Sequence, residues 1–247
     1  LRRDGLVVFP EPLPTALLED LHTAGRRLDA HPRPATGRLP APFEPEESSV
    51  RRADLDEADL LKERAVRRFV TDPSLRAFAG RYLACDPVND LVAMWWSAAV
   101  TGTSAQSVAA QQFHADLDRL RFVKFFAYLT DVGSDQGPHV YVRGSHRRRP
   151  PSLRSDRRFT DDEVRAKYAA ADLLSIEGPA GTVFAADTSG LHKGLPLAVG
   201  HRLVIQVEFA SGLLGAPYTS IQRNTFPPDV LRVFEAHPWT YRRFLAG

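Results

Sequence analysis

Short apolar runs dominate the chain between Leu91 and Ala210. They are rich in β-branched and aromatic residues and are separated by glycine, proline, serine and aspartate, as is typical of strands joined by turns. In chain order the runs are LVAMWWSAAV, SVAAQQFHAD, RFVKFFAYLTDV, HVYVRGS, DLLSIEG, GTVFAAD and RLVIQVEFA. Because helices do not alternate regularly with these strands, the pattern favours an antiparallel sandwich or jelly roll over a parallel sheet.

Helical patterns lie on both sides of this region. PTALLEDLHTAGRRLDA, DEADLLKERAVRRFVTD and PSLRAFAGRYLA precede it, TDDEVRAKYAAADLL begins with a helical insertion, and FPPDVLRVFEAHPWTYRRFLA closes the chain. Asp72 and Pro73 provide an N-cap and a first helical residue for the third pattern. The proline-rich stretch 31–47 predicts a long surface loop. We therefore predict a mainly β protein with flanking helices (α+β), in one domain spanning residues 1–247.

The composition disfavours several classes of protein. A hydrophobic content of 43% with 25% charged residues is typical of a globular chain. The net charge of +2 gives no support for nucleic-acid binding, and the apolar runs are too short or too interrupted to span a bilayer. Cys85 is the single cysteine and forms no internal disulfide. We expect a cytoplasmic monomer or homodimer that acts on a small molecule and binds neither membrane nor nucleic acid.

The stretch QQFHADLDRL places two polar side chains, His114 and Asp116, in apolar surroundings. In a strand, residues two apart project to the same side, so this imidazole and carboxylate would point into one volume. His192, in DTSGLHKGLP, is the candidate for a third ligand. Two histidines and one carboxylate with open positions opposite form the facial triad of non-haem Fe(II) oxygenases. Catalytic zinc uses similar ligands, and a hydrogen-bonded buried pair is the structural alternative.

Arg202 opens the apolar strand RLVIQVEFA. A buried guanidinium needs a partner, and its planar fork matches a carboxylate in two-point contact. If His192 binds iron, a dicarboxylate can chelate the metal through its 2-oxo acid end while Arg202 receives the distal carboxylate. The cosubstrate that fits this arrangement is 2-oxoglutarate. Pairing of Arg202 with Glu208 or with a terminal carboxylate is the alternative.

Further residues are candidates for contacts within the same cavity. Lys124 and Gln112 are candidate 2-oxoglutarate or substrate contacts, with a snorkelling lysine and a structural glutamine as alternatives. The candidate substrate contacts are Trp95, Tyr128, His139 and Gln206. Arginine is concentrated between Arg143 and Arg158, which predicts either a solvated loop or a site for an anionic substrate group.

Taken in order, these motifs resemble the phytanoyl-CoA dioxygenase family of Fe(II)/2-oxoglutarate oxygenases. The resemblance depends on His-Ala-Asp at 114–116, KFFAYLTDV, the turn GPHVYVRGSHR, His192 after GTVFAAD, and Arg202 in HRLVIQ. It extends from Gly5 to about Phe209. Two positions differ: Gly194 stands where relatives often place a serine, and Arg143 stands where a proline usually precedes GSH.

The resemblance implies a double-stranded β-helix, a jelly roll of the cupin type. It also implies iron bound by His114, Asp116 and His192, 2-oxoglutarate anchored by Arg202, and O2 as oxidant. Asp116 fills the position that a halide would need, which favours hydroxylation over halogenation. We expect oxidation of a small organic molecule in natural-product biosynthesis, with the loops before Val50 and after Ser145 as candidate lids. A cupin-like metal-dependent isomerase or hydrolase and a non-catalytic binding domain are the alternatives.

Overall fold

The structure is a computed structural model that describes residues 1–33, 40–45, 50–100 and 112–245. Within these ranges the strands form an eight-stranded sheet and a three-stranded sheet, and the strand pairs are antiparallel. The strands are β1 (Leu6–Val8), β2 (Asp29–Arg33), β3 (Ala41–Pro42), β4 (Arg52–Leu55), β5 (Val88–Ala98), β6 (Phe122–Tyr128), β7 (His139–Val142), β8 (Leu173–Ile176), β9 (Val183–Ala186), β10 (His192–Gly194) and β11 (His201–Ala210). The large sheet has the order β1-β9-β6-β11-β5-β4-β2-β3, and the small sheet has the order β10-β7-β8. This arrangement confirms the predicted mainly β jelly roll with flanking helices.

The helices lie mainly before β5 and after β11. They are α1 (Thr15–Arg27), α2 (Glu57–Leu60), α3 (Arg64–Val70), α4 (Pro73–Leu83), α5 (Asp161–Arg165) and α6 (Pro228–Ala236). Asp72 caps α4 as predicted, because its carboxylate accepts a hydrogen bond of 2.7 Å from the backbone N–H of Ser74. No helix in the described ranges is long and apolar enough to cross a membrane.

The two faces of the large sheet have different partners. On the outer face Phe125 of β6 packs edge-on against Phe78 of α4, with ring centroids 5.6 Å apart, in the core shared with the helices. On the inner face the next residue, Phe126, stacks on Phe184 of β9 at 4.9 Å, in the core shared with the small sheet. Both faces of β6 are therefore buried, which explains its unbroken apolar sequence.

Strand β11 shows the same alternation with a different composition. Leu203, Ile205 and Val207 lie in the outer core with the helices. Arg202, Val204, Gln206 and Glu208 alternate with them and therefore face inward, towards the small sheet. The three polar members of this inner row are all buried. The cavity between the sheets is thus lined partly by charged and amide side chains.

Two expectations about local structure need correction. The single helix expected over DEADLLKERAVRRFVTD is divided into α2 and α3, and Arg67 donates to the carbonyls of Leu61 and Lys62 at the break. Part of the predicted proline-rich loop forms β2 and β3. Pro32 is tolerated there because β3 pairs only with Asp29 and Ala30, so β2 is an edge strand at Pro32. The rest of that loop, 34–39 and 46–49, lies outside the described residues.

The strand expected over SVAAQQFHAD is only partly described, since 101–111 lie outside the described ranges. From Gln112 onward the segment forms isolated bridges and no continuous ladder: Phe113 pairs with Phe159, and His114 pairs with His192. The terminal helical prediction holds for α6 and for a short 3-10 turn at Arg242–Phe244, while its last residue, Ala246, is outside the described part.

Candidate metal centre

The three predicted ligands converge on one point. His114 and His192 form an antiparallel bridge, with backbone hydrogen bonds of 3.0 Å and 2.9 Å in the two directions. Directly opposed residues of an antiparallel pair project to the same side, so the two imidazoles meet with ring centroids 4.4 Å apart. Ligating atoms of His114, Asp116 and His192 all lie within 4.8 Å of one another.

Asp116 reaches this point through a separate anchor. Its backbone N–H donates to the carbonyl of Thr188 at 2.8 Å, which ties it to the loop that leads into β10. The carboxylate lies 3.7 Å from Nε2 of His114 and 3.5 Å from Nε2 of His192. His114 and Asp116 thus point to the same side, as expected from a strand, because His114 is bonded to β10 and Asp116 is bonded to the loop that precedes β10.

Backbone carbonyls fix the orientation of both imidazoles. Nδ1 of His114 lies 3.1 Å from the carbonyl of Gln112, and Nδ1 of His192 lies 3.0 Å from the carbonyl of Gly190. Because a carbonyl only accepts hydrogen bonds, each Nδ1 donates and each Nε2 keeps its lone pair for a metal. For Gln112 the contact is therefore made by the main chain, whereas the sequence had drawn attention to its side chain.

The electrostatics of the site favour the metal-binding protonation states. Burial lowers the pKa of His192 to about 4 and also lowers the pKa of His114, which keeps both imidazoles neutral. Burial works against ionisation of Asp116, but His192 and Lys124 together hold the pKa of this carboxyl below its usual range. Two neutral imidazoles and one carboxylate form a nitrogen and oxygen donor set that fits ferrous iron.

The loop before His192 is held by its neighbours. The hydroxyl of Ser145 donates to the carbonyl of Val142 at 2.7 Å and accepts from the N–H of Leu191 at 2.7 Å. A Cβ at Gly190 would collide with the hydroxyl of Tyr141 and lie 2.8 Å from Oγ of Ser145. The glycine is therefore required by close approach, and it places the carbonyl that orients His192.

Lys124 lies behind Asp116 and not in the open cavity. Its ammonium is 2.7 Å from Oδ2 of Asp116, 2.7 Å from Asp118 and 3.3 Å from Glu208. Burial opposes the charge, but these three carboxylates raise the pKa of Lys124 above its ordinary value. Two of the three ammonium hydrogens are donated to Asp116 and Asp118, and Glu208 adds an ion pair. The ammonium contacts the candidate metal ligand Asp116, and contact of Lys124 with 2-oxoglutarate stays a prediction.

Arg202 is a buried cation that has no carboxylate partner among the described residues. Its residue is 8% exposed, and its hydrogen bond to Oγ of Ser97 is a long one of 3.5 Å. Nε of Arg202 has no hydrogen-bond partner among the described residues. Burial lowers the pKa of Arg202, because removal from water disfavours the charged guanidinium. Glu208, the alternative partner considered from the sequence, is paired with Lys124 instead.

The four candidate substrate residues have different environments. His139 stacks on His192 at 5.3 Å, and its buried Nε2 has no partner within the described part of the chain. Tyr128 is buried, donates to the carbonyl of Ile176 at 2.9 Å and accepts from the N–H of His139, so its hydroxyl is used by the scaffold. Trp95 carries the guanidinium of Arg52 over its ring at 4.7 Å. Gln206 is buried on the inner face of β11, and contact of these residues with substrate stays a prediction.

A further residue at the site was not singled out from the sequence. NH1 of Arg158 lies 3.2 Å from Nδ1 of His114. The side chain of His114 is 26% exposed. The clustering of arginines between 143 and 158 gave a general signal, but the bridge between Phe113 and Phe159 places Arg158 beside the candidate ligand His114.

The sequence profile of the phytanoyl-CoA dioxygenase (PhyH) family matches residues 1–197. This chain belongs to the phytanoyl-CoA dioxygenase family. The family uses Fe(II), 2-oxoglutarate and O2, and the match confirms the resemblance inferred from the sequence motifs. All three candidate ligands lie within the matched residues, whereas Arg202 lies beyond them. The case for Arg202 in this PhyH-family chain therefore depends on its burial and its missing partner.

Solved structures share the fold of this PhyH-family chain. HygX from Streptomyces hygroscopicus, crystallised with nickel, 2-oxoglutarate and hygromycin B, superposes with a TM-score of 0.59 at 16% identity over 87% of this chain and 92% of HygX. EctD from S. alaskensis with bound Fe gives 0.59 at 18% identity, covering 87% and 73% of the two chains. AviO1 from Streptomyces viridochromogenes Tue57 gives 0.56 at 17% identity, covering 88% and 94%. No curated protein matches the sequence.

Proposed function

We propose that this protein is an Fe(II)- and 2-oxoglutarate-dependent oxygenase that hydroxylates a small organic molecule. The observation that carries the proposal is a buried guanidinium with no carboxylate partner among the described residues, beside Gly194 on the strand that brings His192 to the two-histidine, one-carboxylate cluster. In the overall reaction the substrate, 2-oxoglutarate and O2 give the hydroxylated product, succinate and CO2. Bound Fe(II) supplies the activation of O2, and the protein supplies position and exclusion of water.

The residues have separate roles in this proposal. His114, Asp116 and His192 would hold the metal through two Nε2 atoms and one carboxylate oxygen. Arg202 would receive the distal carboxylate of 2-oxoglutarate in two-point contact, which satisfies Nε. His139 lies against His192, and burial together with His192 and Arg202 holds its pKa well below the usual range. It would therefore meet cosubstrate or substrate as a neutral hydrogen-bonding group.

The test separates this function from a metal-dependent isomerase or hydrolase that uses the same triad. Succinate formation is measured with Fe(II), 2-oxoglutarate and a panel of candidate substrates for the wild type, Arg202→Ala and Arg202→Lys. We expect succinate from the wild type, loss of it in Arg202→Ala, and partial retention in Arg202→Lys. Arg232→Ala, which changes an exposed arginine on α6 outside the Arg143–Arg158 region, is the control. Turnover that proceeds without 2-oxoglutarate, or that survives Arg202→Ala, would contradict the proposal.

We also propose that the substrate carries an anionic group. The region from Arg143 to Arg158 contains seven arginines against one acidic residue, Asp156. With a metal on Nε2 of His114, Nδ1 carries the hydrogen bonded to Gln112 and cannot accept from Arg158. The exposed guanidinium of Arg158 is then free to bind an acceptor on a molecule entering the site. The solved structures with hygromycin B and nogalamycin show that this fold accepts natural products, and we extend that setting to this chain.

Matched carboxylate and carboxamide forms of each candidate substrate test the anion. We expect Arg158→Ala to raise KM for the carboxylate form about tenfold or more and to leave the carboxamide form unchanged, since a charge-assisted hydrogen bond is worth roughly 1.5–3 kcal/mol. Equal effects on both forms, or no effect on either, would contradict an anionic substrate.

A further inference from the structure

Lys124 is a buried cation surrounded by three carboxylates, one of which is a metal ligand. Its side chain is 7% exposed, and Nζ lies 2.7 Å from Oδ2 of Asp116, 2.7 Å from Oδ2 of Asp118 and 3.3 Å from Oε2 of Glu208. The ammonium donates hydrogen bonds to Asp116 and Asp118, and Glu208 adds an ion pair without a hydrogen bond.

The backbone holds this ammonium in one place. Lys124 of β6 and Glu208 of β11 are direct partners in the antiparallel ladder, and both lie in the inner rows of their strands. Glu208 is fully buried, and its two carboxylate oxygens accept no hydrogen bond in the described ranges. Burial and the neighbouring Asp90 raise the pKa of this carboxyl, and Lys124, 3.3 Å away, opposes that rise. Asp118 is on the same loop as Asp116, two residues further on. The ammonium thus joins the sheet to the loop that carries the metal ligand.

This contact distinguishes the two oxygens of Asp116. Lys124 is bonded to Oδ2, which also lies 3.5 Å from Nε2 of His192, whereas Oδ1, 3.7 Å from Nε2 of His114, has no lysine or arginine partner among the described residues. A carboxylate whose second oxygen is held by a protein cation binds a metal through one oxygen. If both oxygens of Asp116 bound, the carboxylate would take one of the positions that the facial triad leaves open for cosubstrate and O2.

We propose that Lys124 is a positioning residue that holds Asp116 in one-oxygen coordination and so keeps a metal position open. The inference rests on the proposed metal site, and it assigns to Lys124 a role that concerns the geometry of the metal and not contact with 2-oxoglutarate. A purely structural role, in which Lys124 only neutralises buried acids, predicts loss of stability without any change in the metal site.

The experiment compares nickel(II) binding and coordination in the full chain. The variants are Lys124→Met, Lys124→Arg and the double variant Lys124→Met/Glu208→Met, which replaces the opposing buried charges by apolar groups so that the fold is retained. Lys193→Met is the matched control, because Lys193 is also buried and ion-paired, 2.6 Å from Asp161, and neighbours His192 without touching the ligand cluster. Nickel affinity is measured by calorimetry, and coordination is measured by X-ray absorption and crystallography of the nickel-loaded proteins.

We expect Lys124→Met and the double variant to lose roughly 10- to 100-fold in nickel affinity, as changes to groups that orient metal ligands commonly do. Both oxygens of Asp116 should then coordinate, and 2-oxoglutarate should bind the loaded variants more weakly. Lys124→Arg should restore most of the affinity, and Lys193→Met should match the wild type. Wild-type affinity and one-oxygen coordination in the folded double variant would overturn the inference while leaving the oxygenase intact. Absence of nickel and 2-oxoglutarate binding in the wild type would instead overturn the proposed function.

Discussion

Replacement of Arg202 by methionine should stabilise the protein in the absence of 2-oxoglutarate. Methionine preserves an unbranched side chain of similar length and removes a buried charge whose hydrogen bond to Oγ of Ser97 is a long one of 3.5 Å. A buried polar group without a partner costs about 1–3 kcal/mol. For a chain of this length each kcal/mol changes Tm by roughly 2–4 °C, so we expect the metal-loaded variant to melt several degrees above the wild type.

The variant should lose its higher Tm relative to the wild type when 2-oxoglutarate is added. At about 100 times its Kd a ligand stabilises the folded state by roughly 2.7 kcal/mol, and the wild type should gain this in full. The variant lacks the partner of the distal carboxylate, and truncation of one member of a buried charge pair costs roughly 2–5 kcal/mol in binding. That loss corresponds to about 30-fold or more in Kd, so the same concentration should stabilise the variant by less than about 1 kcal/mol, a third or less of the gain of the wild type.

Thermal unfolding of the nickel-loaded proteins, with and without 2-oxoglutarate, measures both effects at once. Arg202→Lys is the control, because it keeps the buried positive charge and loses the planar guanidinium that makes two-point contact. It should gain little stability and keep part of the rise in Tm that 2-oxoglutarate causes. A variant Arg202→Met that is less stable than the wild type would show that the guanidinium contributes to the fold. An undiminished response to 2-oxoglutarate would show that the anion binds elsewhere.

Two further predictions concern the ligands themselves. Gly190→Ala should destabilise the protein by about 1–3 kcal/mol, because the added Cβ collides with the hydroxyl of Tyr141. It should also weaken nickel binding, because the collision displaces the carbonyl that orients His192. Thermal unfolding measures the first effect and calorimetry measures the second. The metal-free protein should lose up to about 3 kcal/mol of stability as pH falls from about 6.5 to about 4, because unfolded His192 binds a proton throughout this window and the folded residue does not. Denaturant titrations across this range should show the slope in the wild type and a reduced slope in His192→Gln; equal slopes would refute the assignment.

The residues of the site could be predicted from the sequence where a single local signal was strong. The spacing of His114 and Asp116 in apolar surroundings and the charge of Arg202 in an apolar strand were enough to select them, because polar groups in such places need a specific partner. The structure brings the first two together with His192, and it leaves Arg202 with an unpaired Nε.

The partners of these residues could not be predicted in the same way. The carbonyls of Gln112 and Gly190 have no side-chain signature, and the bridge between His114 and His192 joins positions far apart in the sequence. Lys124 was conspicuous as a lysine in an apolar strand, but its role depends on the ladder that sets it against Glu208. Register between distant strands is a property of the whole sheet, which local periodicity does not determine.

The two charged residues on the inner face of β11 differ in their ion pairing. Glu208 is fully buried and is paired with Lys124, which connects it to the candidate metal ligand Asp116. Arg202 is buried on the same face, yet it has no carboxylate partner in the described part of the chain. The fold can therefore neutralise a charge on this strand and does so at Glu208. An unpaired buried charge costs stability. The asymmetry therefore indicates that the anion that pairs with Arg202 belongs to a bound ligand, and that the cost of burying Arg202 is offset only in the liganded enzyme.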